Sequence, residues 1–214
     1  MITFNVLIET NKGSNMKYEY DTKSDDSLKQ DSGKKFRLDR ILHGSNVYPG
    51  DYGFIEKTLA LDNDPIDVLV WISQPTFPGC IVKVKIIGGL EMIDGGEIDN
   101  KLLGVCVNDP EFQHFNSLEE IPTKWKEKVH DFFQNYKNLE KKVIILKNWI
   151  NQKKAIQFIW DSQKHWINYR IENNIGDIES WYQKLKYLKE NIKKQKKELE
   201  NISKKGNSKK GRQK

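Results

Sequence analysis

The chain has 214 residues, which is enough for one well-buried domain with an appendage, and its 37% content of hydrophobic residues excludes a chain that is disordered throughout. Its formal net charge of +6 is unevenly distributed, because residues 175–214 hold 13 Lys/Arg and 5 Asp/Glu (net +8), which leaves −2 for residues 1–174. The sequence has no apolar run of membrane-spanning length, so we expect no association with a membrane.

Cysteine usage and the N-terminus predict a reducing compartment. The two cysteines, Cys80 and Cys106, form no C-x-x-C pair, and their apolar or glycine neighbours are typical of reduced core thiols. The first residues lack the basic start and the apolar stretch of a secretory signal. We therefore expect a cytoplasmic protein.

Short β-rich runs dominate the first half of the chain. The predicted strands are Asn5–Glu9, Lys17–Tyr20, Ile55–Leu59, Val68–Ile72, Ile81–Ile87 and Leu102–Val107. The polar stretch Thr22–Lys35 is rich in Ser, Asp and Lys, which predicts an exposed loop. Many short strands bounded by Gly, Pro or Asp favour a small barrel or a sandwich.

Two helices are predicted in the second half. Trp125, Val129 and Phe132 recur at spacings of three and four residues, which places them on one face of a helix that reaches Tyr136. A second helix is predicted from about residue 152 to residue 172.

The C-terminal segment carries a heptad pattern. Its apolar seam consists of two series spaced seven residues apart: Ile178, Leu185, Ile192 and Leu199, and Trp181, Leu188, Gln195 and Ile202. Such a seam is typical either of an amphipathic helix that lies on its own domain or of a coiled coil between chains. Residues 203–214 are basic and of low complexity, which predicts a disordered tail.

Three carboxylates, Asp62, Asp64 and Asp67, lie close together in the sequence. In a regular strand Asp62 and Asp64 would share one face and Asp67 would lie on the other, but Pro65 favours a turn that returns Asp67 towards them. Two carboxylates ~6 Å apart repel by roughly 3 kcal/mol at an effective dielectric constant of ~20. Such a cluster calls for cations, and its hard oxygen ligands favour Mg²⁺, Mn²⁺ or Ca²⁺ over zinc.

Two other interpretations of this segment are an acidic surface turn and a calcium-binding EF-hand loop. The sequence Asp62-x-Asp64 matches the opening of an EF-hand loop. That loop requires Gly at its sixth position and Glu at its twelfth, where this chain has Asp67 and Ser73. Calcium sensing is therefore disfavoured.

A second acidic cluster follows, with Asp94 and Asp99 in a loop that contains Gly95 and Gly96. The two clusters together can supply the ligands for two or more metal ions. A pair of metal ions ~3.5–4 Å apart is the usual device for in-line displacement at phosphorus. The second cluster also contains Lys101, and candidate cationic and hydroxyl donors for phosphate are Lys17, Arg40, Tyr48, Tyr52, Tyr136 and Lys137. The combination suits an enzyme that acts on a phosphate ester or anhydride.

These residues carry a resemblance to a known family. The segment Asp62-Asn63-Asp64-Pro65-Ile66-Asp67-Val68 matches the motif D-[SGDN]-D-[PE]-[LIVMF]-D-[LIVMGAC] of the family I soluble inorganic pyrophosphatases at every position. The resemblance covers residues 4–150 with compatible spacing, through Ile8-Glu9, Lys17-Tyr18-Glu19, Asp39-Arg40, Tyr48-Pro49, Tyr52-Gly53, Asp94, Asp99, Lys101, Phe132-Phe133 and Tyr136-Lys137.

The fold that this resemblance implies is α+β, a five-stranded OB-like β-barrel with flanking helices. To this the chain adds a C-terminal helical, basic tail. We accordingly divide the chain into a pyrophosphatase catalytic domain (1–174), a heptad-patterned amphipathic helix (175–202) and a basic disordered tail (203–214).

The resemblance also implies which side chains carry out the reaction, expected to be hydrolysis of inorganic pyrophosphate to two orthophosphates. Five carboxylates look like metal ligands: Asp62, Asp67, Asp94, Asp99 and Glu19. Asp67 is similar to the family's general base, with Asp64 close by, and a water ionised between cations would be the nucleophile. The expected cofactor is Mg²⁺, with Mn²⁺ as a substitute and Ca²⁺ as an inhibitor.

The other implied roles concern the substrate. The residues that look like phosphate contacts are Lys17, Arg40, Tyr136 and Lys137. Tyr52 and Lys101 resemble residues that hold the substrate or tune the nucleophile, and Glu9 and Tyr48 resemble supporting residues.

The C-terminal segment has no counterpart in the catalytic core of the family. Compact bacterial-type members resemble hexamers and larger eukaryotic ones dimers, so we expect a homo-oligomer, with the C-terminal helix as one route to it. The competing function, from another class, is a nucleic-acid or acidic-surface binding module, because a segment with a net charge of +8 attracts polyanions. We expect weak polyanion binding by the tail as an addition to pyrophosphate hydrolysis.

Overall fold

The computed structural model of the chain describes residues 1–20 and 36–210, with side chains through residue 201. The loop predicted for Thr22–Lys35 lies outside the described residues. Within them the fold is mixed α+β. The strands are β1 (Phe4–Thr10), β2 (Met16–Tyr20), β3 (Phe36–Ile41), β4 (Asp51–Ile55), β5 (Ile66–Trp71), β6 (Ile81–Asp94), β7 (Glu97–Ile98), β8 (Lys101–Cys106) and β9 (Ile144–Asn151). The helices are α1 (Thr123–Asn135), α2 (Gln152–Glu172) and α3 (Ile178–Lys210), and a 3₁₀ turn spans Asn138–Glu140.

Five of the strands pair in a closed ring. β1 pairs with β4 and β4 with β5, both antiparallel, and β5 then pairs in parallel with β8. β8 pairs with β6, and β6 returns to β1, again antiparallel. β7 and β9 extend the sheet from β6, while β2 and β3 form a separate two-stranded sheet.

Alternation along the strands divides the core into two clusters. In β5, Val68 and Val70 pack in a cluster that includes Ile156 and Ile159 of α2. Leu69 and Trp71 instead join a cluster that contains the apolar face of α1. Because successive side chains of a strand point to opposite faces, each strand of the ring is buried on both sides.

Gly53 explains why one strand was predicted in the wrong place. A Cβ atom at this position would lie 2.0 Å from the carbonyl oxygen of Leu7, so only glycine allows β4 to lie this close to β1. The sequence favoured a strand over Ile55–Leu59, because glycine and proline in the preceding residues are turn signals. The strand instead ends at Ile55, and it carries Tyr52.

The helix predictions agree more closely with the structure than the strand predictions. α2 spans Gln152–Glu172 as predicted, and α1 buries the predicted face with Trp125, Val129 and Phe132. β3 and β9 are absent from the predicted strands, and β6 continues to Asp94, well beyond the predicted end at Ile87.

The seam of α3 faces the chain's own domain. Ile192 is buried, and Leu188 and Leu199 pack against the same cluster. The indole Nε1 of Trp160 in α2 donates to Gln195 Oε1 at 2.9 Å. The apolar positions of the heptad pattern are therefore used inside the chain, which favours the helix that lies on its own domain over the coiled coil.

The turn between α2 and α3 is stabilised by an arginine that contacts two tryptophan rings. The Arg170 guanidinium lies 5.0 Å from the ring centroids of both Trp166 and Trp181. Trp181 Nε1 also donates to the carbonyl of Ile175 at 2.8 Å.

α3 continues past residue 202 to Lys210, so the backbone of the predicted disordered tail is helical up to that residue. In the part of the chain that the structure describes, no helix combines the length and the apolar character needed to cross a membrane.

The docking of α3 predicts a measurable contribution to stability. Ile192→Ala should lower the free energy of unfolding by about 2–4 kcal/mol, because it leaves a cavity against α2. Lys189→Ala, on the exposed side of the same helix, should change it by less than about 0.5 kcal/mol. Urea denaturation followed by tryptophan fluorescence measures both. Equal stabilities of the two variants would contradict this packing.

Candidate active site

A cavity of about 400 Å³ opens beside the ring of strands. Every predicted site residue except Arg40 lines it: Glu9, Lys17, Glu19, Tyr48, Tyr52, Asp62, Asp64, Asp67, Asp94, Asp99, Lys101, Tyr136 and Lys137. These residues come from widely separated parts of the sequence, so the fold brings them together.

The first acidic cluster is shaped by a turn between β4 and β5. The backbone N–H of Asp64 donates to Asp62 Oδ1 at 3.0 Å, and Asn63 adopts a positive φ of 66°. The backbone N–H of Ala60 donates to the carbonyl of Asp64 at 2.8 Å and closes the turn. Asp67 then follows as the second residue of β5, so the turn and the strand together direct all three carboxylates into the cavity.

Lys101 forms hydrogen bonds to two predicted metal ligands. It begins β8, and the parallel register of β5 and β8, which pairs Val68 with Leu102, sets it beside Asp67. Its buried Nζ donates to Asp67 Oδ2 and to Asp99 Oδ1, each at 2.5 Å. Burial alone would lower the pKa of Lys101, but the two carboxylates outweigh it and raise this pKa well above its usual value. Lys101 is therefore a permanent positive charge between them.

Asp94 is paired in the same way. It ends β6, before the tight turn at Gly95 and Gly96, and forms an ion pair with Lys137 Nζ. Burial lowers the pKa of Lys137, and the hydrogen bond to Asp94 opposes this shift. A lysine thus again accompanies a carboxylate in the cavity.

The β2–β3 sheet contributes a third group of paired charges. Lys17 Nζ donates to Glu19 Oε1 at 2.7 Å and to Asp39 Oδ2 at 3.3 Å. Arg37 Nη2 donates to the other oxygen of Glu19 at 3.1 Å. Burial would raise the pKa of Glu19, but the hydrogen bond and the charge of Lys17 outweigh it and lower this pKa. Glu19 is therefore ionised at neutral pH.

Arg40 is placed differently from the other predicted phosphate contacts, because it is absent from the cavity lining. Its Nε donates to Glu140 Oε1 at 2.9 Å and its Nη1 to Asp39 Oδ2 at 2.5 Å. Its Nη2 is buried and has no hydrogen-bond partner among the described residues. Burial would lower the pKa of Arg40, but the carboxylates of Glu140 and Asp39 raise it.

Two carboxylates have raised pKa values. Burial raises the pKa of Glu9 to about 8, against the opposing hydrogen bond from the Tyr20 backbone N–H at 2.9 Å. The pKa of Asp62 rises to about 6, first through burial and then through the charges of Asp99 and Asp67. Glu9 is therefore protonated at neutral pH and adds no negative charge to the cavity there.

Three tyrosines form an aromatic wall of the cavity. The rings of Tyr48 and Tyr52 lie 5.2 Å apart, and Tyr48 packs on Phe132 of α1 at 4.7 Å. Tyr136 contacts Phe133 edge-on at 5.9 Å. Burial raises the pKa of all three tyrosine hydroxyls, so they stay protonated at neutral pH and serve as hydrogen-bond donors.

Several residues in and around the site were not among the predicted site residues. Tyr20, Arg37 and Glu97 line the cavity, and Glu140 holds Arg40 from outside it. The alternation of Lys17 and Glu19 along β2 was a usable signal for a charged face, but β3, which pairs with it, was not predicted.

The charges that line the cavity permit a test of whether it suits metal ions. Eight carboxylates line it (Glu9, Glu19, Asp62, Asp64, Asp67, Asp94, Glu97 and Asp99) against four basic side chains (Lys17, Arg37, Lys101 and Lys137). Among the described residues, no three His, Cys, Asp or Glu side chains are grouped closely enough to enclose a metal ion, and lysines lie between the carboxylates instead. The hard oxygen donors and the excess negative charge fit Mg²⁺ or a similar ion.

This arrangement defines a class of site. Paired carboxylates with room for added cations, basic side chains within the same cavity and protonated tyrosines suit a cation-assisted reaction of a phosphate compound.

Comparison with known proteins identifies the family. A family model described as inorganic pyrophosphatase matches residues 6–167. Soluble inorganic pyrophosphatase 1 of Arabidopsis thaliana is 40% identical over 166 residues, which cover 78% of this chain and 74% of that protein. The inorganic pyrophosphatase of Ureaplasma parvum serovar 3 is 49% identical over 143 residues, which cover 66% and 74% of the two chains.

Solved structures agree with this result. The crystal structure of the inorganic pyrophosphatase from Thermus thermophilus matches with a TM-score of 0.70 and 34% sequence identity, over 77% of this chain and 91% of that one. The chain therefore belongs to the inorganic pyrophosphatase family and is an enzyme that hydrolyses pyrophosphate. The family match ends at residue 167 and does not include α3.

The raised pKa of Glu9 predicts how the stability of the metal-free protein depends on pH. The folded state keeps the Glu9 proton up to about pH 8, whereas the unfolded chain releases it near its ordinary pKa of 4.5. The free energy of unfolding should therefore fall as the pH rises between these values, by up to about 1.4 kcal/mol per pH unit from this group.

Glu9→Gln removes this dependence. Urea unfolding in EDTA at pH 5.5 and pH 7.5 should show a smaller loss of stability for the variant than for wild type. Glu56→Gln, at an exposed position, is the matched control and should behave as wild type does. An equal loss in wild type and Glu9→Gln would show that Glu9 does not titrate in this way.

Proposed function

We propose that the enzyme cleaves pyrophosphate into two orthophosphates by a magnesium-dependent attack of water on phosphorus. The observation that carries this proposal is the excess of carboxylates over basic side chains in one cavity. A pyrophosphate anion would be repelled by such a cavity unless cations entered with it. Mn²⁺ substitutes for Mg²⁺ in this proposal, and Ca²⁺ inhibits.

The proposed metal ligands are Asp62, Asp67, Asp94, Asp99 and Glu19. All five line the cavity, and each accepts a hydrogen bond that fixes its orientation, from a backbone N–H in the case of Asp62 and from a lysine in the others. When bound, the ions would supply charge neutralisation and a more acidic water. The lysine partners hold these carboxylates in place before cations arrive.

Asp67 is the proposed general base. Lys101 donates to its Oδ2 and not to its Oδ1, so we assign proton uptake from the attacking water to Oδ1. Asp64, in the turn that precedes β5, lines the same cavity. A carboxylate is a weak base by itself, so it depends on cations to acidify the water.

The basic residues and tyrosines are proposed to bind the substrate. Lys17 and Lys137, which line the cavity, supply positive charge to the phosphoryl oxygens, and Arg40 adds positive charge from outside the lining, where its Nη2 is buried and unpaired. The protonated hydroxyls of Tyr52 and Tyr136 donate further hydrogen bonds. Pyrophosphate has no carbon skeleton to grip, so catalysis rests on positioning and charge neutralisation.

The remaining residues are proposed to support this machinery. Lys101 lies 5.8 Å from the Tyr52 ring centroid and links the base to the aromatic wall. Glu9 and Tyr48 hold the neighbouring strands in place. Glu9 does so through its bond to the Tyr20 backbone, and Tyr48 does so by packing on Phe132.

We infer that the five-strand ring is the OB-like barrel that the resemblance implied, with the closed pairing from β1 through β6 as support. A cytoplasmic location and a homo-oligomeric assembly remain parts of this proposal. Because the seam of α3 packs on its own domain, we place the contacts between protomers elsewhere on the catalytic domain.

The proposal predicts the effect of removing the metal and the base. Wild type should release orthophosphate from pyrophosphate with Mg²⁺ and lose this activity in EDTA. Asp67→Asn should lower kcat by about 10²–10⁴-fold, the usual contribution of general base catalysis. A colorimetric assay of orthophosphate measures both.

The control is Asp131→Asn, which alters an exposed carboxylate of α1 outside the cavity. It should retain wild-type activity, and circular dichroism should show that both variants are folded. Full activity of folded Asp67→Asn, or undiminished activity of wild type in EDTA, would overturn the proposed mechanism.

A further inference from the structure

α3 presents one side to the domain and the opposite side to solvent. Ile192, Leu188, Gln195 and Leu199 contact the domain, and Glu198 binds the Met1 amino group at 2.8 Å. The helix is therefore held in one orientation over much of its length. Its outer side is presented as a fixed surface and not as part of a flexible tail.

The outer side carries a cluster of exposed lysines, here called the lysine face: Lys186, Lys189, Lys193, Lys194 and Lys197. Four of them are spaced three or four residues apart, which aligns them along the helix. In the part of the chain that the structure describes, none of the five forms an ion pair, although Glu190 lies among them. Their charges are therefore available to a partner.

Other lysines of α3 are used differently. Lys184 Nζ lies 3.9 Å from the Trp181 ring centroid and Lys196 Nζ lies 5.8 Å from that of Trp160. The first contact lies within α3, and the second joins α3 to α2. The contrast shows that the lysine face is not required for packing.

Two aromatic side chains flank the lysine face. Tyr182 is 54% exposed and Tyr187 is 67% exposed, so their rings are accessible to a partner. Exposed aromatic rings among lysines match the requirements of single-stranded nucleic acid, whose phosphates need cations and whose bases stack on flat rings. Lysines bind phosphate as point charges, so such recognition is independent of base sequence.

A lipid surface fits this helix less well. A helix that lies in a membrane interface inserts a broad apolar face into the lipid. The apolar face of α3 is instead turned towards the domain, as Ile192 and Leu188 show. A coiled-coil partner is disfavoured for the same reason.

We propose that the lysine face of α3, together with Tyr182 and Tyr187, binds the phosphate backbone of single-stranded nucleic acid without sequence preference. This surface lies outside the family match, which ends at residue 167, and is separate from the cavity that holds the catalytic residues. Binding is therefore independent of pyrophosphate hydrolysis.

Fluorescence anisotropy of a fluorescein-labelled oligothymidylate, titrated with the full-length protein in EDTA over a series of NaCl concentrations, tests this. Five lysine–phosphate contacts predict a slope of about −3.5 for log K against log[NaCl]. The variant Lys186→Gln/Lys189→Gln/Lys193→Gln should weaken binding roughly tenfold or more at low salt and reduce the slope to about −1.4.

The matched control is Lys83→Gln/Lys128→Gln/Lys153→Gln, which removes the same charge from exposed positions of the catalytic domain. It should bind the oligonucleotide nearly as well as wild type. Tyr187→Ala should weaken binding severalfold without changing the slope, because stacking releases no counterions. Pyrophosphate hydrolysis in Mg²⁺ should equal that of wild type in all three variants, which verifies that they are folded.

Two results would overturn the proposal. One is equal loss of binding in the α3 variant and the control variant, which would mean that only net charge matters. The other is binding to phosphatidylserine vesicles in a flotation assay with no binding to the oligonucleotide, which would assign the lysine face to a lipid surface.

Discussion

Electrostatic repulsion among the carboxylates that line the cavity is the constraint on which the rest of the site depends. At an effective dielectric constant of ~20, each pair of carboxylates ~6 Å apart costs roughly 3 kcal/mol. The chain limits this cost by placing Lys101 between Asp67 and Asp99, and Lys137 beside Asp94. In the proposed mechanism these carboxylates would hold cations, which would supply further charge neutralisation, while Lys101 stays paired with Asp67 and Lys137 contacts the phosphates.

The fold supplies the rigidity that holds these carboxylates and lysines together. The parallel pairing of β5 with β8 sets Asp67 beside the buried Lys101, and the ring of strands fixes the backbone of both. Gly53 allows β4 to approach β1, so that Tyr52 reaches the same cavity. Tyr136 and Lys137, at the end of α1, close it from the other side. Small errors in any of these elements would separate charges that must act together.

The sequence was a good guide to the chemistry of the site. Asp62, Asp64 and Asp67 lie in one short motif whose acidic character and turn-forming proline are local, and the structure places them together in the cavity. α2 was predicted with its bounds, because apolar residues that recur every three to four residues over a long segment are a strong signal for a helix. These features depend on neighbouring residues only.

Features that depend on distant contacts were missed. Arg40 is held by Glu140, one hundred residues further along the chain, and no local pattern indicates that contact. β4 was misplaced because the glycine that its close approach requires is also a turn signal. The heptad pattern of α3 predicted a helix with an apolar stripe, but the pattern alone does not specify whether the stripe is covered by α2 or by a second chain.

The central claim is that the carboxylates form the binding site for magnesium, and isothermal titration calorimetry with Mg²⁺ in the absence of phosphate tests it most directly. We expect saturable binding to wild type and to Asp131→Asn. We expect that the double substitution Asp67→Asn/Asp99→Asn, which removes two of the proposed ligands while the protein remains folded, abolishes this binding. Equal magnesium binding by the double variant, or none by wild type, would contradict the account.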